Sequence, residues 1–346
     1  MVLQQRDPAL RLQVELSDSL AGVRDELHEL AEASSNVFAT PEWLETWWKH
    51  FGTGDMRVRT CRDDDGRLVA LLPLYRARRG PLRLMRFLGH GPGDELGPVC
   101  APTDRVAAGR ALREALGAED FDLFLGEEIP ADPEWRLPGR AFRRNGSPLI
   151  EFEGATWDEF LAGESRHFRR STRWRDNRLR RDYGARFRLG DPDELDADFE
   201  TLLSLHDLRW RGAASAFSGR RESAFHREFA RLARDRGWLR LWFLELDGRP
   251  AAAWYGFRFG SSYAFYQSGR DPSFQRFSIG SALLLHTIRA ACEESVDEYR
   301  FLRGNEAYKY QLATSDPGLV TIGLARNVLG RAALAVGSRL RGRALR

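Results

Sequence analysis

Residues 274–288 have the sequence FQRFSIGSALLLHTI and join a predicted strand to a predicted helix. The run before them, SSYAFYQSG at residues 261–269, is rich in the aromatic residues typical of strands. After the turn, Ile279, Leu283 and Ile288 recur at helical spacing, which predicts a helix with one buried face. This stretch therefore predicts a strand, a turn that contains a glycine, and a helix, in that order.

The turn has three properties of a phosphate-binding loop. The N–H groups in the first turn of a helix have no intrahelical acceptor and point towards an anion placed there. Gly280 and the small Ser278 and Ser281 permit close approach to the backbone, and Arg276 supplies a cation. No acid occurs in residues 274–292, so no side chain complements the positive end of the helix dipole. The same residues also fit a plainer structure, a glycine turn followed by a serine-capped core helix.

The order of predicted elements around this turn occurs twice in the chain. DGRLVALLPLY at residues 65–75 corresponds to DGRPAAAWYGF at residues 247–257, and each begins at the Asp-Gly of a predicted hairpin. Further along, FDLFLGEE at residues 121–128 corresponds to YRFLRGNE at residues 299–306. A length of 346 residues also favours two domains. The sequence therefore predicts a tandem duplication of one α/β unit, each a mixed, mostly antiparallel sheet flanked by helices.

Changes in composition divide the chain into four expected segments. Between the two predicted units lies a strongly basic helical segment, and the chain ends in a second basic stretch. The expected divisions are an N-terminal domain at residues 1–155, a basic linker helix at 156–190, a C-terminal domain at 191–323 and a basic tail at 324–346.

Composition excludes several classes of protein. A hydrophobic content of 42% argues against a disordered chain, and no apolar run approaches the ~18 residues that span a membrane. The net charge of +3 is too small to indicate nucleic-acid binding. Cys61, Cys100 and Cys292 lack metal-ligand or disulfide spacing, and the first residues lack the features of a signal peptide. We expect a cytoplasmic protein without a metal.

The turn and its surroundings resemble a known family. QRFSIG at residues 275–280 is similar to the acyl-CoA loop of GNAT-type N-acetyltransferases, Q/R-x-x-G-x-G/A, with Ser278 at the first glycine. Together with FLRGNEAYK at residues 301–309, the pattern resembles the tandem-GNAT acetyltransferases associated with bacterial cellulose and exopolysaccharide synthesis. This resemblance extends over about residues 35–323. Fem-type aminoacyl transferases share the doubled architecture and are the nearest relatives of that family.

The resemblance implies that acetyl-CoA or another acyl-CoA binds to the C-terminal domain. The pyrophosphate would lie on backbone N–H groups, and the pantetheine arm would run beside the strand at residues 263–269 as an added strand. The N-terminal domain has no equivalent loop, so it would shape the acceptor cleft. The residues implied in donor binding are Gln275, Arg276, Ser278, Ile279, Gly280 and Ser281.

Four residues are candidates for catalysis. The resemblance places Tyr308 where GNAT enzymes often have a tyrosine that protonates the leaving thiol. Glu306 is a candidate base, and Lys309 is a compact cation for a carbonyl, one of only two lysines among 53 basic residues. Their alternative roles are structural, as exposed helix residues or, for Tyr308, as part of the core. His206 is a weaker candidate base, since a helical histidine near Trp210 also fits a packed residue.

Two arginine-rich segments have open roles. Residues 161–190 contain ten arginines against three acids, and Arg166, Arg169, Arg170 and Arg173 fall on one predicted helical face. This face could contact phosphates of CoA, of a lipid-linked sugar or of tRNA, or it could simply be solvated. The C-terminal tail has apolar residues on one side with arginines around them. It is a candidate for peripheral membrane contact or for a packed terminal helix.

These features favour one function over two alternatives. The leading hypothesis is an acyl-CoA-dependent N-acyltransferase that acts on a saccharide or cell-envelope precursor, with a small-molecule or saccharide acceptor and no nucleic acid. The first alternative is a Fem-like transferase that takes its aminoacyl donor from tRNA. The second is a non-catalytic GNAT-like scaffold in exopolysaccharide synthesis.

Overall fold

The computed structural model describes residues 12–210, 216–217 and 219–343. The chain divides into two compact units, and both units are discontinuous in sequence. Unit 1 comprises Met1–Ser147, Arg303–Asn305 and Asp316–Arg346, and unit 2 comprises Pro148–Leu302 and Glu306–Ser315.

Strands and helices are numbered here in chain order over the described residues. The strands are β1 Gln13–Ser17, β2 Asp55–Met56, β3 Val58–Arg62, β4 Leu68–Leu72, β5 Leu74–Arg79, β6 Leu82–Phe87, β7 Val99–Cys100, β8 Leu123–Pro130, β9 Arg140–Asn145, β10 Leu149–Glu151, β11 Arg186–Leu189, β12 Leu239–Leu246, β13 Arg249–Phe259, β14 Ser262–Arg270, β15 Glu298–Arg300 and β16 Leu319–Ala325. The α-helices are α1 Arg24–Ala33, α2 Pro41–Phe51, α3 Arg105–Ala118, α4 Trp157–Gly163, α5 Arg166–Tyr183, α6 Leu195–Trp210, α7 Arg220–Asp235, α8 Ile279–Glu293, α9 Ala307–Tyr310 and α10 Val328–Arg343. Within the described ranges, no helix is both long and apolar enough to span a bilayer.

Unit 2 contains a six-stranded mixed sheet in the order β10-β15-β14-β13-β12-β11. All neighbouring strands are antiparallel except β14 and β15, which are parallel. That parallel pairing covers three register pairs, from Ser262 opposite Glu298 to Ala264 opposite Arg300. Strand β14 continues to Arg270 after β15 has ended. The later half of β14 therefore runs beyond its parallel neighbour.

Unit 1 has two sheets, one of four strands and one of six. Their strand orders are β1-β3-β4-β7 and β2-β5-β6-β8-β16-β9. Only Pro73 separates β4 from β5, and proline lacks the N–H that a continuous strand would use in its ladder. The parallel pair in this unit is β6 with β8, starting at Leu84 opposite Leu123. The predicted fold class, two units that each have a mixed sheet flanked by helices, is confirmed.

The division into units differs from the boundaries that the sequence suggested. The basic segment expected as a linker contains α5, which belongs to unit 2 because Thr172 and Leu179 are buried and Phe168 and Tyr183 pack on its core. The residues expected as a tail contain the end of β16 and helix α10. Strand β16 is a buried apolar strand that lies between β8 and β9 in unit 1.

In unit 2, β13 and β14 contact α8 as well as α6. The register between β13 and β14 shifts because Tyr255 is opposite Gln267 while Gly256 is opposite Phe265, which leaves Tyr266 as an extra, bulged residue. Helix α6 approaches β14 at Gly269, where an added Cβ would lie 2.4 Å from the backbone nitrogen of His206. The absence of a side chain at this glycine sets the helix–strand distance.

We predict that Gly269→Ala lowers the free energy of unfolding by about 2 kcal/mol, because α6 must move away from β14 to admit the methyl group. This corresponds to a fall of roughly 4–8 °C in the melting temperature, measured by circular dichroism or calorimetry. Gly163→Ala is the control, since an added Cβ at Gly163 meets nothing within 4 Å. A melting temperature unchanged by Gly269→Ala would show that the helix–strand contact is looser than described.

Candidate active site

In the turn between β14 and α8, a serine has the backbone conformation that glycine usually adopts. A 3-10 turn, Pro272–Phe277, leads to Ser278, which has φ 51° and ψ 42° in the left-handed region. The Ser278 side chain makes no capping hydrogen bond, whereas its carbonyl accepts from the N–H groups of Ser281 at 3.0 Å and Ala282 at 3.1 Å. Glycine normally occupies this backbone region. Ser278 therefore has the conformation expected of the glycine that it replaces in the acyl-CoA motif.

Two backbone N–H groups remain available at the start of α8. For the amides of Ile279 and Gly280, no acceptor is recorded within the described part of the chain, as expected for the first positions of a helix. Ser281 was also expected to bind phosphate through its N–H, but that group donates back to Ser278. An added Cβ on Gly280 would lie 3.3 Å from Nη1 of Arg270, so a cation is next to the free amides.

A cavity of about 220 Å³ in unit 2 extends from this helix start along β14. Its apolar lining residues are buried, and its polar ones are half-buried or exposed. Among the described residues that line it, none is acidic. The lining residues are Arg209, Ala252, Ala253, Trp254, Phe265, Ser268, Gly269, Arg270, Gly280, Ser281, Leu283, Leu284 and Tyr308.

Tyr308 and Arg209 form the polar side of the cavity. Nη1 of Arg209 donates to the carbonyl of Ser268 at 3.2 Å and also contacts its hydroxyl. Burial, reinforced by the negative charge of Glu306, raises the pKa of Tyr308 to about 12, with Arg209 acting in the opposite direction. Burial also lowers the pKa of Arg209, and the nearby charge of Arg270 contributes in the same direction. The phenol of Tyr308 is therefore protonated at neutral pH, next to two guanidinium groups.

The other three catalytic candidates do not line this cavity. Lys309 is only 4% exposed, and its Nζ lies 3.0 Å from Oε2 of Glu306 and 3.4 Å from the carbonyl of Leu302. These contacts give this buried lysine a structural explanation, because its ammonium group neutralises a carboxylate and binds a carbonyl two residues after β15. Glu306, half exposed, is its partner in this ion pair.

His206 is fully buried and packs against Phe217, with ring centroids 4.8 Å apart, and against Trp210 at 6.0 Å. Burial lowers its pKa to about 4, so the ring is neutral at physiological pH. His206 is therefore a packed histidine, which was one of the two roles that the sequence left open.

The remaining donor-binding candidates lie on the surface of the loop or below it. Gln275 and Arg276 are exposed, and Ile279 is buried in the core of unit 2. Sequence reasoning missed Arg209, Ser268 and Arg270. Neither arginine carried a signal, because arginine is the ordinary cation throughout this chain.

Within the residues that the structure describes, no three histidine, cysteine, aspartate or glutamate side chains are grouped so that they could hold a metal ion.

Residues 166–310 match the family described as acetyltransferase (GNAT) domain. The match begins at the first residue of α5 and ends at the last residue of α9, so the basic helix lies inside the matched region. No curated protein sequence matches the chain significantly.

Solved structures show the same fold at low sequence identity. FemX has 12% identity and a TM-score of 0.64, with 88% of this chain and 96% of that chain covered. A second structure is the C-terminal domain (DUF2156) of a proposed lysylphosphatidylglycerol synthetase from Agrobacterium fabrum. It has 13% identity and a TM-score of 0.56, with 93% of this chain and 96% of that chain covered. L-PGS from Bacillus licheniformis has 14% identity and a TM-score of 0.53, covering 88% and 97%. The chain has the fold of a GNAT-type acyltransferase. The finer resemblance to cellulose- and exopolysaccharide-associated acetyltransferases stays a prediction.

We predict that Ser278→Gly raises the free energy of unfolding by up to about 1 kcal/mol, because a left-handed backbone is costly for any residue with a Cβ. Ser278→Val should lower it by at least about 1 kcal/mol. Ser204→Gly, at an exposed position inside α6, is the matched control and should lower stability by about 1 kcal/mol. Urea denaturation measures all three, and a destabilising Ser278→Gly would contradict the assigned backbone conformation.

Proposed function

We propose that the protein is an acyl-CoA-dependent N-acyltransferase that transfers an acetyl or other acyl group to an amine of a saccharide or cell-envelope precursor. The observation that carries this proposal is the cavity whose lining includes both Gly280, which has a free backbone amide, and Tyr308. The surroundings of Gly280 suit a pyrophosphate, and those of Tyr308 suit a thioester.

The residues of the cavity fit a CoA thioester along its length. Ile279 and Gly280 would donate N–H groups to the pyrophosphate, and Arg270 beside Gly280 would add a cation. The part of β14 after Ala264 extends past β15, and the amides of a pantetheine arm would pair with its backbone on that side. Buried Phe265, Leu283 and neighbouring apolar residues would exclude water from the thioester end.

Bound CoA would supply an acyl group on a thiolate leaving group. As the acceptor amine forms its bond to the acyl carbon, the carbon–sulfur bond breaks and the sulfur gains a negative charge. We infer that Tyr308 donates its proton to that sulfur, because its raised pKa keeps the phenol protonated at neutral pH. The acceptor nitrogen loses one proton as the amide forms, and transfer of that proton through water restores the phenol. Arg209, which interacts with the same phenol, stabilises negative charge that develops there. We assign no role in this step to Glu306, Lys309 or His206.

We predict that Gly280→Glu weakens CoA binding at least about 100-fold, because the new carboxylate would lie between the free amides and Arg270 and would repel phosphate. Isothermal titration calorimetry with CoA measures the effect. Gly163→Glu adds the same charge at an exposed position in the same unit and should bind CoA normally. Unchanged CoA binding by Gly280→Glu would exclude this helix start as the donor site.

We predict that Tyr308→Phe lowers kcat about 100-fold to 1,000-fold and leaves CoA affinity within about twofold of wild type, since the hydroxyl acts only when the thiolate leaves. The wild-type rate should show no loss from Tyr308 below about pH 10, because burial favours the neutral phenol, whose proton is lost only as the pH approaches about 12. A pH profile of kcat with a model amine acceptor tests this. Equal kcat values for the two proteins would remove Tyr308 from the mechanism.

A Fem-like aminoacyl transferase is the second candidate function. The fold similarity to FemX over 88% of this chain and the arginines of α5 support it. Such an enzyme would bind tRNA with an affinity that falls steeply as salt rises, and it would not depend on CoA. A non-catalytic scaffold, the third possibility from the sequence, would bind no CoA thioester at all. Titrating the protein with acetyl-CoA and with tRNA at two salt concentrations separates the three.

A further inference from the structure

A column of alternating aromatic and cationic side chains, with an exposed tryptophan at one end, lies beside the proposed donor loop. Trp174 on α5 is 60% exposed, and the guanidinium of Arg178 lies 5.0 Å from the centroid of its ring. The same guanidinium lies 5.3 Å from the ring centroid of Phe277, and the guanidinium of Arg276 lies 4.6 Å from that centroid. Trp174, Arg178, Phe277 and Arg276 therefore form one stacked set, called here the aromatic–arginine column.

The column is anchored to the loop that leads into α8. Phe277 immediately precedes Ser278 and is buried, with its ring centroid 4.7 Å from that of Tyr183. Tyr183 also packs edge to face on Phe274 of the same loop. One end of the column is thus fixed two residues before the free amide of Ile279, while its other end, Trp174, is open to solvent.

The surface around Trp174 is positively charged. Arg170 is one helical turn before Trp174 on the same face of α5. Both Arg170 and Arg173 are exposed. Within the described residues, no ion pair is recorded for either of them. Arg178 does have a carboxylate near it, with Nε 3.5 Å from Oδ2 of Asp182, but Asp182 is shared with Arg181. The column therefore combines an open aromatic face with a surplus of cations.

We propose that the aromatic–arginine column binds the phosphorylated adenosine end of the donor, with the base stacked on Trp174 and a phosphate held by the surrounding arginines. The inference rests on the proposed function, because it assumes that the pyrophosphate of CoA lies at the start of α8. A planar base with a phosphate on its ribose matches both properties of the column, the exposed ring and the unneutralised charge. An apolar or acidic peptide partner would match only one of them.

Stacking of a base on one aromatic side chain is worth about 1–3 kcal/mol. Trp174→Ala should therefore weaken binding of CoA about tenfold, measured by calorimetry. It should not change the affinity for 4′-phosphopantetheine, which lacks the adenosine. Trp174→Phe should restore most of the lost affinity, because a smaller aromatic ring still stacks. Arg276→Ala should also weaken CoA, whereas Arg144→Ala, which removes the same charge from an exposed site in unit 1, should not.

The outcomes separate this inference from the proposed function. If wild type binds neither CoA nor 4′-phosphopantetheine, the proposed function fails. If wild type binds CoA and Gly280→Glu does not, but Trp174→Ala binds CoA as wild type does, the column inference alone is overturned. An RNA hairpin ending in CCA serves as the last probe: if Trp174→Ala weakens the hairpin and leaves CoA unchanged, the column is an RNA surface and the inference is wrong.

Discussion

The short parallel pairing of β14 with β15 is the constraint on which the site depends. Three register pairs hold the two strands together, and then β15 ends while β14 continues for six residues. The bulge at Tyr266 falls in this continuing part of β14, where it redirects the strand. Because α8 packs against β14 and begins after its end, the later part of the strand and Gly280 at the start of the helix line one cavity.

Unit 1 has the same arrangement with a different chemistry. Its parallel strands β6 and β8 also share three register pairs, but Arg86 at the last of them forms an ion pair with Glu127. The helix between the parallel strands of this unit, α3, follows directly after Asp104, which is 3% exposed. A buried carboxylate at a helix start complements the dipole that α8 leaves open. The two units thus differ in the charge at the start of the corresponding helix, with an acid at α3 and none in the first turn of α8.

Much of this could be predicted from local sequence. The strand, turn and helix of residues 261–293 and the duplication all follow from patterns of a few neighbouring residues. Arg209 and Arg270 could not be identified, because their importance comes from the packing of α6 and β14 against one cavity. Lys309 is the reverse case, a residue that the sequence singled out. Lysine is rare in this chain, which suggested a catalytic role, whereas its burial beside Glu306 indicates a structural one. The discontinuity of both units could not be predicted either. A strand that pairs with residues far away in the sequence has the same apolar pattern as a strand that pairs with its neighbours.

The position of β16 has a consequence for synthesis of the chain. Strands β8 and β9 leave the ribosome early, yet the strand that pairs with both of them is Leu319–Ala325. Until β16 has been made, β8 and β9 each have an edge without its final partner, and unpaired strand edges are sites of aggregation. All of the residues of unit 2 are made during that interval. Unit 1 is therefore completed after unit 2, and a chain that ended before β16 would leave the sheet of β2, β5, β6, β8 and β9 without its connecting strand.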